Sequence, residues 1–300
     1  WFEKETKNMS RRQIAQELEC NFNMSGETVF HSEDMEYMRA QLVDPKYKTG
    51  FDRNLWIWEE FKQENTSLLS AAVSRGDGKD YSVCLVFKLE TMEIVAEYQG
   101  KCTPDIFSRV LFDMGQEYGS GLLVVENNSV GFAVLDKLKE MRYPNLYHSI
   151  KSTHEFVEEY QADQMSNAVV GFSTTSKTRP LIIAKMEEFV RNNLIKVYSS
   201  RLVAEMRTFI WNHGRAEAMR SYNDDLIMAC AVACWVRDTA LAVNKRDSEY
   251  AKAFIGSILK TSSELDTRIN GMVGTKNLKM RDDLVNQNKS YNDFPWLFKG

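Results

Sequence analysis

From Leu68 onward the chain alternates short apolar runs with turn residues. Leu68 to Val73 is apolar, Tyr81 to Leu89 places Val83, Leu85 and Phe87 at every second position, and Glu93 to Tyr98 carries Ile94 and Val95. This predicts three consecutive strands joined by turns, an antiparallel meander. The period then lengthens. Thr103-Pro104-Asp105 supplies an N-cap, a proline at the first helical position and an early acid, and Ile106, Val110, Leu111 and Met114 share one face of the helix that follows. A strand over Leu122 to Val125, a helix from Val130 to Met141 and a short strand near Leu146 to Ile150 continue the alternation. After a polar stretch from Lys151 to Ser176, helices are predicted at Arg179 to Asn193 and at Ser200 to Trp211, around a short strand at Ile195 to Tyr198. A strongly apolar helix runs from Asn223 to Val243, with Ala229, Ala231 and Ala233 small enough to let it approach a sheet.

The flanks are less patterned. Ser10 caps a short helix through Leu18, Asn21 to Gly26 reads as turn chemistry, and Thr28-Val29-Phe30 is a brief apolar run. Residues 32–66 mix charges with Trp56, Trp58 and Phe61, and are read as a lead-in that packs its aromatics on the main domain. Residues 244–300 form a C-terminal helix and tail: one helix is expected at Ser248 to Lys260, and the Asp293-Phe294-Pro295-Trp296-Leu297-Phe298 end is expected to anchor the tail rather than bind a partner. The central order, βββαβαβ followed by helices, is similar to the ribonuclease H arrangement. It implies an α/β fold with a mixed central sheet flanked by helices over residues 67–243, whose parallel connections obey the right-handed crossover rule.

Composition narrows the class without naming it. A hydrophobic fraction of 43% over 300 residues is enough to bury one large core or two modest ones. The net charge of −4 gives no basic signature for nucleic acid, yet an acidic catalytic centre can coexist with a local basic face. Five scattered cysteines, Cys20, Cys84, Cys102, Cys230 and Cys234, form no CxxC pair and argue against a disulfide framework or structural zinc. No apolar stretch approaches the roughly 20 residues that span a bilayer, so no membrane partner is expected. A reducing cytoplasm fits.

The candidate chemistry lies at three acidic stations. Glu126 closes the Leu122 to Val125 run, Asp224-Asp225 opens the apolar helix, and Asp80 follows Gly76 and Gly78 after the first strand. Each alone is ordinary: a strand reaching solvent, a capped helix, a hairpin turn. Together, acids at the ends of adjacent strands and at one helix start are hard oxygen ligands for Mg²⁺ or Mn²⁺, in a site with two ions about 4 Å apart that hydrolyses phosphodiesters. No GxxxxGK[ST] phosphate loop is present, so no Walker-type ATPase site is expected.

At these residues the chain resembles the C-terminal nuclease domain of the large terminase subunit of tailed bacteriophages, the T-even-like type in particular. That family's first motif is Asp-x-x-x-Gly-x-x-x-Asp after an apolar strand; anchored on Gly76 and Asp80, it puts the catalytic aspartate at position 72, where this chain has Ala72. The second motif is matched by Glu126-Asn127-Asn128-Ser129-Val130-Gly131 and the third by Asp224-Asp225, with Asn223 where the family often has histidine. Gly171-Phe172-Ser173-Thr174-Thr175-Ser176-Lys177-Thr178-Arg179-Pro180 is similar to the family's threonine-rich, basic segment.

The resemblance implies a metal-dependent endonuclease that cuts concatemeric viral DNA, with Glu126, Asp224, Asp225 and Asp80 around the metals. The site is here disabled by Ala72 in an otherwise whole motif, a pattern that favours an engineered change over a natural pseudo-nuclease. It further implies that residues 1–31 are the end of a motor ATPase domain. The partners implied are double-stranded DNA, the terminase ATPase domain, the portal and the small terminase subunit, on a capsid assembling in the host cytoplasm. Lys177, Arg179, Arg215 and Arg220 are the candidate phosphate contacts, chosen for their nearness to the second and third motifs. A junction resolvase and a non-catalytic DNA-gripping module are the competing readings.

Overall fold

The computed structural model describes residues 28–128, 130–150, 156–157 and 168–238. The predicted helices at Ser10 to Leu18 and Ser248 to Lys260, the Asn21 to Gly26 turn, Cys20 and the aromatic end at 293–298 lie outside those residues. The chain divides into two compact units, residues 1–243 and 244–300, and the described residues all belong to the first. Among them, no helix is long and apolar enough to cross a membrane.

Six strands form the central sheet: β1 (Tyr47–Thr49), β2 (Leu55–Ile57), β3 (Ser67–Ala72), β4 (Ser82–Lys88), β5 (Glu93–Gly100) and β6 (Leu122–Val125). Their order is β1-β2-β5-β4-β3-β6. The predicted meander is β3, β4 and β5, paired antiparallel, and β6 lies parallel to β3. A parallel neighbour cannot be reached by a hairpin. Helix α2 (Pro104–Glu117), started by Pro104 behind the Thr103 N-cap, provides the crossover.

Alternation divides the strands between two cores. Leu68 and Ala72 of β3, Val83, Leu85 and Phe87 of β4, and Leu122 and Val124 of β6 face helices α1 (Ser32–Ala40), α4 (Thr178–Arg191), α5 (Ser200–Arg207) and α6 (residues 225–238). Leu69 and Ala71, Cys84 and Val86, and Leu123 and Val125 face α2 and α3 (Gly131–Glu140). Strands covered on both faces read as continuous apolar runs, which is why β3, β4 and β6 are buried almost throughout. Helix α6 is itself buried nearly all round, and its Ala229, Cys230, Ala231, Ala233 and Cys234 are small enough for the Ser70 hydroxyl to reach the Ala229 carbonyl at 2.7 Å.

Four expectations are corrected. The lead-in at 32–66 does more than pack aromatics: it supplies α1 and two further strands, β1 and β2, that extend the sheet beyond β5. Its Trp58 is buried as expected, with the indole N–H donating to the Val43 carbonyl at 2.8 Å. The predicted strand at Ile195 to Tyr198 is a single parallel bridge between Lys196 and Glu93, because Ser199 at once caps α5 by accepting the Leu202 N–H.

The predicted helix over Ser200 to Trp211 ends at Arg207. Phe209-Ile210-Trp211 instead opens a hairpin, β10 (Phe209–Asn212) to β11 (Arg215–Ala218), turning on His213 at φ 48° and Gly214 at φ 78°. Two successive positive φ values suit a two-residue turn matched to strand twist. Finally, β7 (His148–Ile150) leaves the main sheet for a small antiparallel one with β8 (Phe156–Val157) and β9 (Ala168–Val170), so the described residues of the polar stretch at Lys151 to Ser176 include two strands. Only Leu146 and Tyr147 still pair alongside Leu123 of β6.

Candidate active site

The C-terminal ends of β3 and β6 and the start of α6 meet at one end of the sheet. In the parallel β3–β6 pair, Ala71 registers with Val125, and the Glu126 N–H continues the ladder to the Ala71 carbonyl at 3.0 Å. Residues 72 and 126 are therefore neighbours. The two-residue period places Ala72 with Leu68 and Ser70 on the α6 face of β3, and Glu126 with Leu122 and Val124 on the same face of β6. Ser70 pins α6 at Ala229. Residue 72 lies two strand residues beyond Ser70, about 6.6 Å. Asp225 lies four helical residues before Ala229, about 6 Å. The two arrive at one height, and the Asp225 carboxylate accepts the N–H of Tyr81 at 2.8 Å, beside the start of β4 where Val83 pairs with Ala72.

The two acids of the helix start are turned differently. Asp225 Oδ2 is held by Tyr81 and by the Asn223 amide at 3.1 Å, and the same amide ties the Lys79 carbonyl at 3.2 Å. Asp224 instead forms an ion pair with Arg179. Burial pushes the Asp225 carboxyl above its ordinary range, the Tyr81 and Asn223 donors draw it back, and Asp80 and Asp224 push it up again. Burial likewise raises Glu126, with Thr174 and Arg179 lowering it and the charges of Asp224 and Asp225 raising it. These mutual effects place all four carboxylates in one electrostatic neighbourhood. Asp80 is exposed on the turn before β4 and acts on Asp225 only through its field.

Two motif glycines have steric reasons. A Cβ on Gly131 would stand 1.8 Å from the Glu126 carbonyl oxygen, so only glycine lets α3 begin directly beneath that acid. Gly76 has φ +84°, and a Cβ there would stand 2.3 Å from the Cys102 carbonyl. The loop after Glu126 is fixed by buried Asn127, whose amide donates to Val170 O at 3.0 Å, and by Asn128, whose amide donates to Glu126 Oε1 at 2.9 Å.

Beside Glu126 opens a cavity of about 510 Å³, whose walls include Asn128, Thr174, Arg179, Trp211 and Arg215. Arg179 is engaged by Asp224 and the Ala216 carbonyl. Arg215 is 71% exposed on β11, 3.9 Å from Glu217. Lys177 is exposed at the start of α4, and Arg220 is exposed beyond the hairpin. Sequence reasoning missed Trp211, since it was assigned to a helix; the Asn212-His213-Gly214 turn was the signal that could have placed it. It also missed two buried acids behind the site, Glu97 on β5 and Glu205 on α5.

As they stand, the residues do not fit a metal centre. Among the described residues, no three His, Cys, Asp or Glu side chains are placed to hold a cation. Glu126 and Asp225 offer hard carboxylate oxygens, but Asp224 is neutralised by Arg179 and Ala72 brings a methyl to the corner between them.

No protein-family model matches the sequence, and no curated protein does. Among solved structures, the large terminase nuclease from thermophilic phage G20c with bound magnesium aligns at a TM-score of 0.52 and 17% identity, covering 69% of this chain and 96% of that one. The same nuclease with bound cobalt aligns at 0.51 and 17%, over 69% and 96%. This chain has the fold of a large terminase nuclease. The ribonuclease H-like class expected from the order of elements is thus the fold observed.

Proposed function

We propose that this chain is the nuclease part of a viral DNA-packaging terminase, with its catalytic corner at the ends of β3 and β6 and the start of α6, and that Ala72 leaves it inactive. The observation that carries this reading is the convergence of Glu126 and Asp225 on the level of residue 72, from elements far apart in sequence. The similarity to a nuclease fold crystallised with magnesium and with cobalt supports it.

With a carboxylate at 72, divalent cations, Mg²⁺ or Mn²⁺ in a two-metal arrangement, would supply the charge neutralisation and activated water that phosphodiester hydrolysis needs. The chain's own residues have separable roles. Glu126 and Asp225 present oxygens, Asn223 and the Tyr81 N–H orient Asp225, and Asn128 orients Glu126. Arg179 keeps Asp224 paired at the cavity wall, and Lys177, Arg215 and Arg220 offer exposed charge to the phosphates of double-stranded DNA. The motor ATPase domain, the portal and the small terminase subunit would bring DNA to this end of the sheet, on a capsid assembling in the host cytoplasm.

The incomplete acid set also supports a second reading, a DNA-gripping module without catalysis. Plasmid nicking separates the two. Ala72→Asp should nick supercoiled DNA with Mg²⁺ or Mn²⁺, lose the activity with EDTA, and lose it again when Glu126→Ala or Asp225→Ala is added. A folded Ala72→Asp protein that cuts nothing with either ion leaves the gripping module.

A further inference from the structure

Helix α6 begins at the acid site without a cap of its own. Its first turn has free N–H groups that a local side chain usually satisfies, and Asn223 and Asp224 are residue types suited to that work. Neither does it: Asn223 donates to Lys79 O and Asp225 Oδ2, and Asp224 pairs with Arg179. The cap comes from another helix. Glu205, 8% exposed at the end of α5, accepts the N–H of Leu226 at 2.9 Å and of Ile227 at 3.3 Å on Oε2, the two residues directly after Asp225. Its Oε1 accepts the Gln99 amide of β5 at 3.3 Å, and Gln99 pairs with Val83, which pairs in turn with Ala72.

We propose that Glu205 is the positioning residue of the acid corner: tethered to β5 through Gln99, it fixes the first turn of α6 and so sets where Asp225 stands against position 72. With the cap supplied from α5, Asn223 turns to Asp225 and Asp224 to Arg179 instead of to the N–H groups of the first turn. The cap does not depend on charge: burial and the charges of Asp225 and Glu97 push the Glu205 carboxyl up to about 9, against the two backbone donors that favour the anion, and a carboxyl oxygen accepts those N–H groups in either form.

The inference rests on the nuclease reading, and its test is the Mn²⁺ affinity of the full chain carrying Ala72→Asp, measured by electron paramagnetic resonance at a temperature where every variant is folded. Adding Glu205→Ala should weaken Mn²⁺ binding by about 10- to 100-fold, the usual effect of residues that orient ligands. Glu205→Gln, which keeps the size and one acceptor oxygen, should weaken it by an intermediate factor and decides the matter alone if the alanine variant does not fold. Leu138→Ala, on the opposite face of the sheet, should lower the melting temperature and leave the affinity unchanged. Affinities of both Glu205 variants equal to that of the Ala72→Asp parent would make Glu205 a structural cap only, and an equal loss in Leu138→Ala would make the effect general loosening; either overturns the proposal. An Ala72→Asp parent that binds no Mn²⁺ sinks the nuclease reading itself, and with it the role of Glu205.

Discussion

Placing a carboxylate at position 72 should first of all cost stability. Ala72 is 6% exposed in the core under α6, and the corner it faces already holds Glu126 and Asp225, both raised by burial and by neighbouring negative charge. A third carboxylate at hydrogen-bonding range meets repulsion of about 4 kcal/mol per close pair at an effective dielectric near 20, relieved in part by taking up a proton. A net loss of about 2–4 kcal/mol at pH 8 without metal is expected. At about 2–4 °C per kcal/mol for a unit of this size, the melting temperature should fall by roughly 5–15 °C.

The sign with pH follows from the direction of the shifts. Carboxyls raised in the folded state bind protons on folding, so the deficit is largest above their folded values and closes as the pH falls toward 4.5. A divalent ion should reverse it: at 100 times its dissociation constant, binding to the folded state adds about 2.7 kcal/mol, or about 5–10 °C. Differential scanning fluorimetry of the parent and Ala72→Asp in EDTA and in MnCl₂ measures all of this. Equal melting temperatures in EDTA and equal responses to Mn²⁺ would refute the idea that residue 72 completes an acid cluster.

Two other outcomes follow. Lys177→Glu combined with Arg215→Glu should weaken binding to unrelated duplexes alike and flatten the dependence on salt, since both are exposed beside the cavity while Arg179 is occupied by Asp224; unchanged affinity in an anisotropy titration would remove this wall from the DNA path. Glu97, fully buried 3.6 Å from Arg201, has its carboxyl raised by burial from 4.5 to about 7, so its contribution is complete below pH 4.5 and is lost as the pH rises through 7, a difference on the order of 3 kcal/mol. Glu97→Gln should therefore flatten the fall in melting temperature between pH 5 and 9, and parallel curves for parent and variant would contradict it.

What could be read from the sequence was what local pattern controls. The meander, β6 and α3 follow from alternation and buried apolar runs, and the structure places each within two residues of its expected limits; α2 starts at its expected proline. The errors came where tertiary contact overrides local preference. Phe209 to Trp211 continue a helical pattern, but Phe209 is buried against Phe30 and Ile210 bridges Thr28, a segment about 180 residues upstream whose pairing favours a strand.

The same division holds at the site. That Ala72 and Glu126 stand where strands end and Asp225 where a helix begins was legible, because each lies at the limit of an apolar run. Their partners were not: the Arg179–Asp224 ion pair, the Tyr81 N–H on Asp225 and the Glu205 cap join residues 21 to 144 positions apart, and no spacing rule connects them.

If position 72, Glu126 and Asp225 form one metal-binding corner, anomalous diffraction from crystals of the Ala72→Asp protein soaked in Mn²⁺ should locate the ions there. Anomalous density is expected at the C-terminal ends of β3 and β6, in contact with the introduced carboxylate, Glu126 and Asp225, and none at that corner in the Ala72 parent under the same soak. Density elsewhere on the molecule only, or equal density at this corner in both proteins, would contradict it.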